Sequence, residues 1–269
     1  MKKGIKLVLI ACLCVLAFSG CKKDISTKEA SATNEKGSNQ KTELIISAAA
    51  SLQNAMEEIK TLYEAANKKV TLNFNFGSSG ALQQQIEQGA PADVFISAAE
   101  KQMATLKGEE LMVDNTISIL LKNKVVLIVP KDSTLGITSF DDILKAKVIA
   151  LGDPASVPAG QYAEQVFKSL DLLEKVQKQA TYGKDVTEVL AWVRTGNADA
   201  GVVYQTDAQS SKEVKVVAEA PEGSHDDVIY PIGVVRASKE VEAAKAFLDY
   251  LKTDEAMKIF EKYGFINGQ

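Results

Sequence analysis

Four short turns built from small and hydroxyl-bearing residues recur along this chain. Each follows an apolar run and opens a stretch with helical spacing. Ser51 lies in AAASLQNAM (48–56), Ser78 and Ser79 in GSSGALQQQI (77–86), Ala159 and Gly160 in GDPASVPAGQYA (152–163), and Val186 in GKDVTEVLAWV (183–193). A helix N-terminus carries unbonded N–H groups and a partial positive charge. Several such ends converging on one cleft would hold a small anion with no charged side chain. Other anion chemistry is scarce. There are two arginines, Arg194 and Arg236, so a bidentate guanidinium clamp is nearly out of reach.

Enzymatic chemistry is harder still to assemble. AAASL lacks the G-x-S-x-G elbow of a hydrolase nucleophile, and the only histidine, His225, sits in the polar loop PEGSHDD. No phosphate loop with its lysine is present. One histidine, with Cys12 and Cys14 inside an N-terminal apolar run, leaves no Cys/His metal site. The chain is therefore expected to be no enzyme and to carry no cofactor. Capping competes with anion binding for the same residues. Ser51, Ser78 and Ser79 are each suitable N-caps, and Pro158 suits the first turn of a helix. What favours a ligand is their repetition at strand ends. Trp192 is expected to pack, Asp93 to fix loop geometry, and His225 to be solvated.

The N-terminus, MKKGIKLVLIACLCVLAFSGC, has a basic start, an apolar run from Leu7 to Phe18, and then small residues. It reads as a secretory signal over residues 1–20, too short for a comfortable membrane span. LAFSGC resembles a bacterial lipobox, which implies a lipidated Cys21 as the mature N-terminus, anchored to the cell membrane on its outer side. Without the signal only Cys21 remains, so no intrachain disulfide is possible. Residues 22–41 are polar with one large aliphatic, Ile25, and read as a disordered tether behind the lipidated cysteine. As a flexible coil it spans roughly 25 Å. Formal net charge is −4 over 269 residues, and −7 once Lys2, Lys3 and Lys6 leave with the signal. An acidic body argues against nucleic acid as a partner and leaves anion capture to local dipoles.

From Glu43 onward apolar strands alternate with amphipathic helices. ELIISAAA precedes Leu52, Ala55, Met56, Ile59, Leu62, Tyr63 and Ala66 at 3/4 spacing. VTLNFNF, ADVFISA, KVVLIVP, KVIALGD, AGVVY, VKVVAEA and YPIGVV read as further strands, and two helices close the chain. The alternation predicts an α/β fold of two lobes, each a mostly parallel sheet flanked by helices. The expected lobes are 42–122 plus 233–269, and 123–232. KNKVVLIVP (122–130) and VIYPIGVV (228–235) are the expected crossover strands. Ligands of such sheets bind at the carboxyl ends of the strands, where all four turns lie.

These motifs, in this order and spacing, closely resemble the molybdate-binding proteins of ABC transporters, within the bilobal periplasmic-binding-protein superfamily (type II). GAPADVFISA (89–98), Asp185–Val186, GVVYQTDA (201–208) and EAMKIFEKYGF extend the resemblance over about 43–265. The resemblance implies an extracytoplasmic, monomeric binding protein that delivers molybdate or tungstate to a transporter permease. It implies an oxyanion held by the hydroxyls and N–H groups of Ser51 and Ser79, the N–H groups of Ala159 and Val186, and the Tyr204 hydroxyl. The metal would be bound as its oxyanion, with no direct protein–metal ligand. Ser78 and Ser79 compete for one role, with Ser79 favoured. Gly80 stands where relatives often carry a hydroxyl, and the change is expected to cost little. Molybdate is a full dianion that accepts hydrogen bonds and donates none, so a shell of donors suits it. Sulfate shares that property, and a sulfate, thiosulfate or other small-oxyanion protein is the alternative reading. Only cavity size would separate sulfate from molybdate, by leaving buried donors unmet at a cost on the order of 1–3 kcal/mol each.

Overall fold

A computed structural model describes residues 41–269. The expected signal, Cys21 and the tether up to residue 40 lie outside the described residues. The chain opens with β1 (Thr42–Ala49), a 3₁₀ turn (Ala50–Leu52), α1 (Gln53–Ala66), β2 (Val70–Gly77), α2 (Ser79–Glu87), β3 (Val94–Ile96), α3 (Glu100–Gly108) and β4 (Ser118–Asn123). There follow β5 (Val125–Pro130), β6 (Ile149–Gly152), α4 (Pro158–Ser169), α5 (Leu173–Gln177), β7 (Ala180–Gly183), α6 (Val186–Arg194), β8 (Ala200–Tyr204), α7 (Gln205–Gln209) and β9 (Val214–Glu219). The last stretch is β10 (Val228–Val234), α8 (Val241–Leu251), α9 (Asp254–Lys262) and β11 (Ile266–Asn267).

The strands form two sheets, ordered β11-β4-β10-β3-β1-β2 and β7-β6-β8-β5-β9. β2-β1-β3 and β7-β6-β8 pair in parallel. β10 runs antiparallel to β3 and β4, and β5 runs antiparallel to β8 and β9. The sheets are thus mixed rather than mostly parallel. The reversal falls on the strands next to the crossings. Lys124 alone separates β4 of the first sheet from β5 of the second. The return crossing lies in 220–227, before β10. Residues 228–232, expected with the second lobe, instead pair with β3 and β4, because all of Val228–Val234 is buried within the first sheet.

The elements follow from pattern. β5 and β10 are almost continuous apolar runs, and β5 is buried from Val125 to Val129, as strands covered on both faces must be. α1 buries Ala55, Met56, Ile59 and Tyr63 on one face. Leu62, which the spacing assigns to that face, is 40% exposed because the buried stripe runs through Ile59 and Tyr63, four apart. Three elements carry little periodic signal: α3 buries Gln102, Met103 and Leu106, β7 buries Gly183 alone, and β4 pairs as an inner strand although Ile119 is exposed. Trp192 packs partly buried against the core. The Asp93 carboxylate accepts from the Ile45 N–H (2.7 Å) and the Ser238 hydroxyl (2.6 Å), tying the loop before β3 to β1.

Candidate functional site

The parallel strands of both sheets aim their carboxyl ends at one place. β1 feeds the 3₁₀ turn with Ser51, β2 feeds α2 with Ser79, β6 leads to α4 with Ala159, β7 leads to α6 with Val186, and β8 ends on Tyr204. All five residues line one small cavity, together with Ser78, Pro158 and Asp185 among others. Its volume is about 10 Å³, the scale of a very small solute. A larger groove of about 760 Å³ lies elsewhere, lined by Lys101, Gln161, Glu164 and Lys168, and mixes charges of both signs. Among the described residues no cluster of His, Cys, Asp and Glu could hold a metal ion.

The two serines of the second turn divide the work. Ser78 is the N-cap of α2, its side chain accepting from the Ala81 N–H at 3.4 Å. Ser79 is fully buried, and its hydroxyl accepts the Ala98 N–H at 2.9 Å. A hydroxyl whose acceptor side is taken keeps its own hydrogen to give. Ser51 does not cap: the helix start it precedes has no side-chain cap, and its Oγ lies 3.0 Å from the Tyr230 hydroxyl. Capping therefore accounts for Ser78 and leaves Ser51 and Ser79.

The second sheet supplies backbone. α4 begins on Pro158 with no side-chain cap, so the Ala159 N–H, in the first turn, has no carbonyl four residues back to bond. α6 begins at Val186 behind Asp185. That carboxylate, at the cavity wall, accepts from the Glu188 N–H (2.9 Å) and the Thr187 hydroxyl (2.6 Å). Asp185 thus serves the helix start. Tyr204 is 2% exposed, yet its hydroxyl has no hydrogen-bond partner among the described residues. Burial drives that phenol well above its usual pKa, with Tyr230 and Tyr162 nearby adding to the shift, so it stays a neutral donor.

The approach of the two sheets depends on Gly80. Its N–H donates to the Ser156 carbonyl at 2.9 Å, joining α2 to the loop before α4. A Cβ at Gly80 would lie 2.5 Å from that oxygen and 2.7 Å from the Ser156 Cα. The expectation that glycine here merely replaces a hydroxyl is corrected: the position admits no side chain. His225, expected to be solvated, packs its ring edge-on against Tyr162 at 5.6 Å, and the Tyr162 hydroxyl bonds the Asp227 carbonyl at 3.3 Å. The loop of the return crossing is thereby fastened to α4. Three polar residues in the wall's support, Asn123, Thr206 and Tyr230, have no mark in the sequence pattern. The one local signal is Tyr230-Pro231 within a strand, where β10 shifts register.

Two sheets whose strand ends meet across a small donor-lined cavity define a binding protein for a small solute. The chain belongs to the bacterial extracellular solute-binding proteins, whose family model matches residues 44–266. It is 45% identical to the provisionally named ABC transporter substrate-binding lipoprotein YvgL of Bacillus subtilis (strain 168), over 98% of this chain and 99% of that one. It is 40% identical to the molybdate-binding protein ModA of Haemophilus influenzae, covering 81% and 87%. Among solved structures, the substrate binding domain of a provisionally assigned molybdenum ABC transporter from Clostridium difficile superposes with a TM-score of 0.66 at 46% identity, covering 85% of this chain and all of that one.

Proposed function

We propose that this protein captures molybdate, and tungstate of like size and charge, outside the cytoplasm and hands it to the permease of an ABC transporter. The hydroxyls of Ser51, Ser79 and Tyr204 and the N–H groups of Ala159 and Val186 form the shell. The carrying observation is the buried, unpartnered Tyr204 hydroxyl in a cavity walled by helix starts and donor-poised serines. An orphaned buried donor costs stability, and an anion that accepts its hydrogen recovers the cost. Charge-assisted bonds and helix dipoles then offset the dehydration of a dianion that meets no cation. The molybdate-binding names among the relatives support the choice of anion.

Each sheet with its helices acts as one lobe, and closure brings the Gly80–Ser156 bond together while excluding water. Cys21 carries the lipid anchor, the chain works as a monomer with no cofactor, and it catalyses nothing. Isothermal titration with molybdate, tungstate, sulfate and phosphate tests the reading. Tight binding of the first two with negligible heat from the others is expected. Sulfate binding as tight as molybdate would replace the reading by the sulfate one. Phosphate binding would mean that the wall offers an acceptor, with Asp185 the first suspect.

A further inference from the structure

We propose that Asn123 and Tyr230 are positioning residues that lock the Ser51 hydroxyl as a donor toward the cavity. The proposal rests on the oxyanion reading above and deepens it. The Asn123 Oδ1 accepts the Lys124 N–H at 2.9 Å, which fixes the amide's orientation. Its Nδ2 therefore donates, to the Thr206 hydroxyl at 2.9 Å and to the Tyr230 hydroxyl at 3.1 Å. Tyr230, fully buried, has one hydrogen of its own and a second neighbour, the Ser51 Oγ at 3.0 Å. A phenol that accepts from Asn123 gives that hydrogen to Ser51. Ser51 then has its acceptor side filled, and its own hydrogen turns to the cavity it lines.

Burial, the largest cause, raises the Tyr230 pKa far above the usual phenol value, so the hydrogen is present at any physiological pH. The β10 register shift at Tyr230/Pro231 falls at this residue. Ser79 obtains the same polarity from one backbone N–H, that of Ala98. For Ser51 the chain of donors begins at Lys124, at the crossing between the sheets, and the same Asn123 amide also donates to Thr206 of the second sheet's α7. The polarity of the shell is thus built into the hinge region as well as into the turn.

The test is a double-substitution cycle read by titration with molybdate. Wild type, Tyr230→Phe, Ser51→Ala and the double variant are compared. Tyr230→Phe is expected to weaken binding about tenfold in the native background and less than twofold in the Ser51→Ala background, because the relay ends on Ser51. A purely structural role for Tyr230 predicts the same loss in both backgrounds, and that result, or no loss in either, overturns the proposal. If Tyr230→Phe fails to fold, Asn123→Asp carries the same cycle. Its carboxylate draws the Tyr230 hydrogen away from Ser51, so its loss must shrink when Ser51→Ala is added, and a loss of unchanged size refutes the relay. Wild-type protein that binds none of the oxyanions overturns the functional reading itself, a result distinct from variants that fail to couple.

Discussion

In the proposed reading, Tyr204 favours binding over stability. Its hydroxyl is buried among Tyr162, Tyr230 and the cavity wall and gives its hydrogen to nothing among the described residues. Leaving such a group unmet costs roughly 1–3 kcal/mol, whereas a hydrogen bond to a charged acceptor contributes about 1.5–3 kcal/mol. Tyr204→Phe should therefore leave the ligand-free protein as stable as before, or up to about 1 kcal/mol more stable, while weakening molybdate binding by about 10- to 100-fold. Urea unfolding without anion and calorimetry with it measure the two signs separately. A variant that loses stability and keeps its affinity would make Tyr204 a core residue and nothing more. The resemblance to the family implies Tyr204, Ser51, Ser79, Ala159 and Val186, and all five line one cavity. The supporting hydrogen bonds were illegible, because Asn123 contacts Thr206 and Tyr230 across 83 and 107 residues of chain, where no spacing rule reaches.

Among the elements, the helix starts line the cavity, and α2 shows what the proposed closure demands of a helix that meets the other sheet. Gly80 lies in the first turn of α2, where its N–H bonds the Ser156 carbonyl and leaves no space for a Cβ. Alanine has the higher helix propensity, by up to about 1 kcal/mol. Gly80→Ala should leave the ligand-free protein at least as stable, since its clash is with a loop of the other sheet's unit. Binding should fall at least tenfold, because the obstructing atoms are backbone and cannot rotate away. Small-angle scattering with and without molybdate checks the cause: wild type contracts and the variant does not. Contraction of both would remove Gly80 from the closure. The elements that supply these starts were legible because their apolar periods are clear, as in α1 and α6. α3 and β7 were not, since each buries too few side chains to leave a period. The antiparallel pairing of β5 and β10 was hidden for a different reason: a fully buried strand reads the same in either direction.

At the scale of the molecule, the proposed reading asks an acidic body to seat a dianion, so the field near the cavity matters more than net charge. Asp207 is the telling group. It is 5% exposed at the start of α7, its Oδ2 accepting the Tyr204 N–H at 3.1 Å. Burial raises its pKa to about 7, the Tyr204 N–H pulls it back in part, and the Asp185 charge adds to the rise. A carboxyl whose folded pKa lies above its unfolded value of 3.8 holds a proton in the native state that the unfolded chain has lost. Its contribution to stability is complete below about pH 4 and disappears as pH rises through about 7, a change on the order of 4 kcal/mol, of which roughly 3 kcal/mol falls between pH 5 and pH 8. A raised Asp207 pKa also lowers the negative charge beside Tyr204 on the acid side of neutrality. Asp207→Asn preserves an acceptor for the Tyr204 N–H and cannot titrate. Urea unfolding free energies at pH 5 and pH 8 should therefore differ less in the variant than in wild type, by about 3 kcal/mol. The variant should also be the more stable of the two at pH 8. An equal pH dependence in both proteins would mean that Asp207 is ionised throughout, and that the fold tolerates a buried carboxylate beside its own anion site.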